Sequence, residues 1–320
     1  MFSWRTTLSA HLFNNSPRRS VPALHSELVF TLLTYGFALS NLARLNVLAL
    51  GTYERERGIS DAERKAKDEK LGFAVTLLCK ASGIFEHVST TVLSDTEQTP
   101  GRHSGRERPP ELSKEVSQAL SKCAVPSPSF TVLVRALLIT NISFLDRLAL
   151  ASAQSLAIRK LMTRSSYDSV VTPGPPLPAS HPSPALLAKL HLEAAALSAS
   201  AESLMRIPAS RKNDMEVTES LLLYAHDGAA LHGALARKWL GAERGAQDAA
   251  GMAVGFLGWA KRELDALHGG RAHGGGKEEG RDGRRERRGH IAAEAEDVAQ
   301  FLRYYTRMND TVRASAVCRI

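Results

Sequence analysis

The sequence predicts an all-α protein assembled from long helical hairpins. Two observations carry this. Aromatic residues make up only 6% of the 320 residues, while Ala and Leu recur throughout; that mixture suits helices better than sandwiches or barrels. Apolar residues also return at three- and four-residue steps over stretches of about twenty residues, the period of a helix buried along one side. An apolar fraction of 43% is enough for one large core or two modest ones.

Taken in order, residues 1–24 show no secure strand pattern and read as an irregular amino-terminal segment. The first helix covers about 26–50, where Leu28, Leu32, Tyr35, Leu39 and Leu42 are expected to form one broad buried face. Gly51 follows as its stop. Ser60 and Glu63 then make the pattern S-x-x-E, in which each side chain can satisfy an exposed backbone N–H. The helix this opens, 61–93, is charged at first and then apolar, with Phe73, Leu77, Ile84 and Val88 expected as its buried stripe and Cys79 as core. Together the two form an antiparallel hairpin. Residues 94–110 are polar and rich in Gly and Pro, a loop. A shorter helix is expected from Pro110, and another over about 148–168. The run VVTPGPPLPASHPSP interrupts it, because proline removes donors and fixes backbone angles; it reads as a rigid connection. Ser183 and Pro184 can open the next helix, 184–205. Further helices are expected at 214–239, 249–268 and 291–312, with a flexible loop at 269–289 and a short tail at 313–320.

The formal net charge is +8, which permits attraction to anionic surfaces without showing any. Part of the excess lies in the run RDGRRERRGH, 281–290, read here as a solvated loop. The alternative, a nucleic-acid-binding module, has no recognised fold or set of stacking residues behind it. The three cysteines include no CxxC pair and suit a reducing compartment. The amino-terminal MFSWRTTLSAHLFNNSPRR lacks a secretory apolar core, though its arginines fit a mitochondrial presequence.

No enzyme constellation is visible. The histidines have no metal-ligand spacing, and His191 reads as an ordinary packed histidine. GGRAHGGGKEEG, 269–280, has glycines and a lysine but lacks the Walker pattern. There is no G-x-S-x-G elbow. The reading is therefore non-enzymatic, with no catalytic residue, metal or cofactor expected.

The helices resemble a known scaffold instead. SELVFTLLTYGFALSNLARL, 26–45, and the stretch 51–93, including ASGIFEHV at 81–88, are similar to the two opening long helices of the Bro1-domain family in its fungal pH-response, PalC-type branch. ALASAQSLAIRKL, 149–161, resembles a family segment whose core reads LAQAQ. TPGPPLPASHPSPALLAKLHLEAAAL, 172–197, is the most specific block. ALARKWLG, AVGFLGWAKREL and FLRYYTRMND complete the likeness, which covers most of 25–312. The branch pattern runs almost directly from ALSK to ALASAQ, so 124–149 is expected as an insertion, the product of an unspliced intron or gene-model error.

The resemblance implies a curved helical domain with tetratricopeptide-like hairpins, working without enzymatic activity. It implies a place in fungal ambient-pH signalling and binding of an ESCRT-III Snf7/Vps32-type subunit through that subunit's C-terminal helix. It further implies support for activation of the pH-response transcription factor. Other alkaline-pH signalling proteins are possible partners, nucleic acid is not expected, and membrane association would be peripheral and through partners. The setting would be cytoplasmic, with recruitment to plasma-membrane or endosomal sites. Local alignment places the binding patch at Leu156, Ala157, Leu186 and Leu190, with Lys189 at its rim. The same leucines also fit burial against neighbouring helices. An endosomal helical adaptor without a pH-sensing role is the other reading.

Overall fold

The computed structural model describes residues 2–5, 18–21, 24–56, 58–92, 144–163, 165, 174–206, 219–269 and 281–313. Two short strands come first, β1 (Phe2–Arg5) and β2 (Arg18–Val21), paired antiparallel with Phe2 opposite Val21 and Arg5 opposite Arg18. Everything else of any length is helical: α1 (Leu24–Leu50), α2 (Asp61–His87), α3 (144–163), α4 (Pro184–Arg206), α5 (Glu219–Ala246), α6 (Ala250–Gly269) and α7 (Arg281–Met308). π-type turns extend α2 over Val88–Val92 and α7 over Asn309–Arg313.

Most boundaries follow from local chemistry. Gly51 ends α1 at φ +55°, a left-handed conformation that costs glycine little. The Ser60 hydroxyl accepts a hydrogen bond from the Glu63 N–H at 3.2 Å, so the expected cap opens α2. Asp61 and Glu63 in the first turn complement the positive end of the helix dipole. Pro184 is the first residue of α4, where its missing N–H breaks no helical bond.

Two expectations about the limits of elements need correction. The segment 1–24 is not wholly irregular, since it contributes β1 and β2. Of the loop expected at 269–289, Gly269 and 281–289 are helical and 270–280 lie outside the described residues: α7 begins at Arg281, and Arg287 meets Asp227 of α5 at 3.7 Å. Arg and Glu are good helix formers, so a polar run with no apolar stripe still extends a helix whose later turns are packed. Of the stretch expected as an insertion, 144–149 are the opening turns of α3, with Phe144, Leu145, Leu148 and Ala149 buried. Residues 124–143 lie outside the described residues, as does the short helix expected from Pro110.

The chain divides into two compact units. The first comprises 1–48, 73–153 and 197–226. Buried in it are Val29, Phe30 and Leu33 of α1, Leu77, Ala81 and Phe85 of α2, and Phe144 and Leu148 of α3. The Phe85 ring lies 5.5 Å from that of Phe37 and against Gly36, whose lack of a Cβ lets it in. The buried Ser82 hydroxyl donates to the buried Asp146 carboxylate. The face expected for α1 is wrong: Leu39 is buried and Leu32 half-buried, but Leu28, Tyr35 and Leu42 are exposed. On α2, Leu77 and Val88 are buried as expected, whereas Phe73 and Cys79 are exposed. α1 and the later turns of α2 carry apolar residues on more than one side, so periodicity alone could not choose the inward side.

The second unit comprises 49–72, 154–196 and 227–320. Leu187 and Ala188 of α4, Leu235 and Trp239 of α5, Leu257 and Leu264 of α6, and Val298, Phe301 and Tyr305 of α7 share one core with Ile158 of α3. The connection between α1 and α2 is fastened here. The Tyr53 hydroxyl donates to Asp68 at 2.5 Å, and Lys67 meets Glu56 at 3.2 Å and Glu63 at 3.3 Å. Arg159 of α3 grips Glu54, with Nη2 3.0 Å from Oε2, and also donates to the Gly51 carbonyl.

A candidate protein-binding face on α3 and α4

The residues expected to form a binding patch lie on α3 and α4 within the second unit. Gln154 of α3 donates to Glu193 of α4 at 3.3 Å. Farther along α3, Ile158 and Met162 join the core that Leu187 and Leu190 of α4 enter. Two turns on from Gln154 stands Leu161, and two turns back from Glu193 stands Leu186. A seven-residue step returns to nearly the same side of a helix, so Leu161 shares the side of α3 that Gln154 occupies, and Leu186 shares the side of α4 that Glu193 occupies. Both leucines are exposed, at 38% and 45%.

Ala157 is also exposed, one turn from Leu161. Leu190 is half-buried, with one side against the core and the other continuing the stripe from Leu186. Lys189 is exposed beside them, and Glu193 offers an opposite charge on the same helix. Of the expected residues, Ala157, Leu186 and Lys189 are exposed and Leu190 is half-buried. Leu156 is half-buried and sits about 100° round α3 from Ala157. Leu161 was missed, although its place one turn after Ala157 was a readable signal.

Below this face lies a buried polar cluster. His191 of α4 and His232 of α5 bring their Nδ1 atoms within 3.0 Å, so one neutral ring donates its proton to the bare nitrogen of the other. Burial lowers the His191 pKa from 6.5 to about 3, helped by the neighbouring His232. Burial, with His290 nearby, lowers that of His232 to about 4. Lys238 is almost wholly enclosed and pairs with Glu294 at 2.7 Å. The packed reading of His191 holds. Among the described residues, no three His, Cys, Asp or Glu side chains gather as a metal site. Leu161 of α3 and Leu186 of α4 are exposed apolar side chains of the kind an amphipathic helix can cover.

A curated relative is informative. The pH-response regulator protein palC of Cryptococcus neoformans var. neoformans serotype D (strain B-3501A) is 32% identical over 359 residues, covering 97% of this chain and 68% of that protein. The chain belongs to the PalC family of Bro1-domain proteins. No protein-family model matches it. Among solved structures, the ALIX BRO1 CHMP4C complex superposes with a TM-score of 0.61 at 16% identity, covering 98% of this chain. A structure describing the basis for endosomal targeting by the Bro1 domain gives 0.58 at 15% identity, covering 99%. These likenesses establish the Bro1 fold for the PalC-family chain, which spans 64% of the length of each of those solved chains. The all-α Bro1-like expectation is therefore correct.

Proposed function

We propose that this protein is a non-enzymatic scaffold of fungal ambient-pH signalling. It binds the C-terminal amphipathic helix of an ESCRT-III Snf7/Vps32-type subunit across α3 and α4, and so supports activation of the pH-response transcription factor. It works in the cytoplasm and is recruited to plasma-membrane or endosomal sites through its partners. The observation that carries this reading is the exposed apolar pair Leu161 and Leu186, flanked by Ala157 and Leu190 in a chain of the PalC family. An amphipathic helix needs such a strip, and Lys189 and Glu193 can meet charges at its polar edges.

The test is a titration of the purified protein with the C-terminal helix of a fungal Snf7-type subunit, repeated with a Leu161→Asp, Leu186→Asp variant. Both side chains are exposed, so helicity and the unfolding transition are expected to be retained. The variant should bind roughly 30-fold more weakly or worse, since truncating central apolar contacts costs about 1–2 kcal/mol each. Unchanged affinity in a folded variant would place the partner elsewhere.

A further inference from the structure

The outward side of α1 carries a second, separate pattern. Leu28, Thr31, Tyr35, Ala38, Leu42 and Leu45 follow one another at alternating steps of three and four residues, and all six are exposed. The large ones are well exposed: Leu28 47%, Tyr35 54%, Leu42 44% and Leu45 62%. This is a heptad seam with Leu28, Tyr35 and Leu42 at one alternating position and Thr31, Ala38 and Leu45 at the other. It extends about 26 Å along the helix. The core-facing side of α1 is a different set, Val29, Phe30, Leu33 and Ala43.

We propose that this seam pairs with the same seam of a second copy, the two α1 helices lying antiparallel about a two-fold axis. The seam's own sequence argues for a copy of itself. Folding it back at its midpoint sets Leu28 against Leu45 of the second copy, Thr31 against Leu42 of the second copy, and Tyr35 against Ala38 of the second copy. The largest side chain thus faces the smallest, which lets the layers interlock, and the contact is self-complementary as a two-fold interface must be. Charge points the same way. The seam has no ionisable group that is charged at neutral pH. Over 32–48 its flanks, Thr34, Asn41 and Leu48 on one side and Leu32, Leu39 and Asn46 on the other, carry none either, and Glu27 stands only at the amino-terminal edge. Coiled coils choose foreign partners and orientation through flanking charges, and an anionic bilayer is met by Lys and Arg around an apolar face. A neutral seam matches a neutral seam.

Sedimentation of the full chain over a wide concentration range tests this. The expected result is a monomer–dimer equilibrium whose dissociation constant rises roughly 100-fold or more in Leu42→Glu, Leu45→Glu. Circular dichroism and thermal unfolding serve as checks on the fold. Register is read by crosslinking in a background with Cys79, Cys123 and Cys318 changed to Ser. A mixture of Tyr35→Cys and Ala38→Cys chains should join between copies, and Leu28→Cys chains should not join with one another. A chain that stays monomeric throughout overturns the proposal, even if it binds vesicles or another helix. So does a dimer indifferent to the glutamates, or a dimer that crosslinks through Leu28.

Discussion

At the residue scale, the buried imidazoles are the most consequential polar groups in the second unit. His191 and His232 are held neutral by burial, with pKa values lowered to about 3 and about 4. The unfolded chain takes up protons near pH 6.5, well before the folded chain does. Their contribution to stability is therefore complete above that pH and drains away as pH falls toward 4 and then 3. By pH 5 the loss is about 2 kcal/mol for each ring. Urea unfolding at pH 7, 6 and 5 should show it as a falling midpoint. His191→Leu, His232→Leu should flatten the profile over that window, while a profile as steep as the parent's would assign the acid sensitivity to other groups. Lys238, Glu294 and His290 stand near the pair in both proteins. The sequence placed His191 on an apolar helix and so announced its burial. It gave no sign of His232, because the two are brought together only by the packing of α4 on α5.

At the element scale, close helix approach depends on small residues at particular sites. At Gly245 of α5 the Tyr305 ring of α7 stands 2.1 Å from where a Cβ would be, and that ring is buried. Tyr305 burial also raises its hydroxyl pKa to about 12. Gly258 of α6 has only the Arg262 guanidinium within reach, at 3.8 Å. Gly245→Ala should thus destabilise by roughly 1–3 kcal/mol through displacement of the ring. Gly258→Ala should stabilise by up to about 1 kcal/mol through helix propensity. Thermal unfolding of the two variants reads the difference directly, and equal effects would refute the packing account. Gly258 sits inside the helix expected at 249–268 and Gly245 between that helix and the one expected at 214–239, and nothing in the chain announces the ring that stands against Gly245.

At the scale of the whole molecule, membership of the PalC family and the α3–α4 face lead to one expectation in cells. A fungus relying on the Leu161→Asp, Leu186→Asp protein should fail to process its pH-response transcription factor and grow poorly at alkaline pH. The Gly258→Ala protein should behave as the parent. Normal processing with a folded, expressed variant would separate pH signalling from this face. The glutamate substitutions in the α1 seam leave α3 and α4 untouched, so failure of self-association and failure of helix binding are read independently.

The sequence by itself determined the helical class, most helix limits and the family. Those are local properties: a cap at Ser60, a stop at Gly51, a proline at the head of α4, and ordered blocks of characteristic residues. Of the five expected patch residues, Ala157, Leu186 and Lys189 are exposed, and Leu156 and Leu190 are half-buried. The tertiary structure decided which side of each apolar helix turns inward. Leu28, Tyr35 and Leu42 of α1 have the period of a buried stripe and are exposed, because Val29, Phe30 and Leu33 offer an equally apolar side and Gly36 admits Phe85 beside it. A helix apolar on more than one side has several rotations of similar hydrophobic gain, and the choice between them is made by the shape of its neighbours.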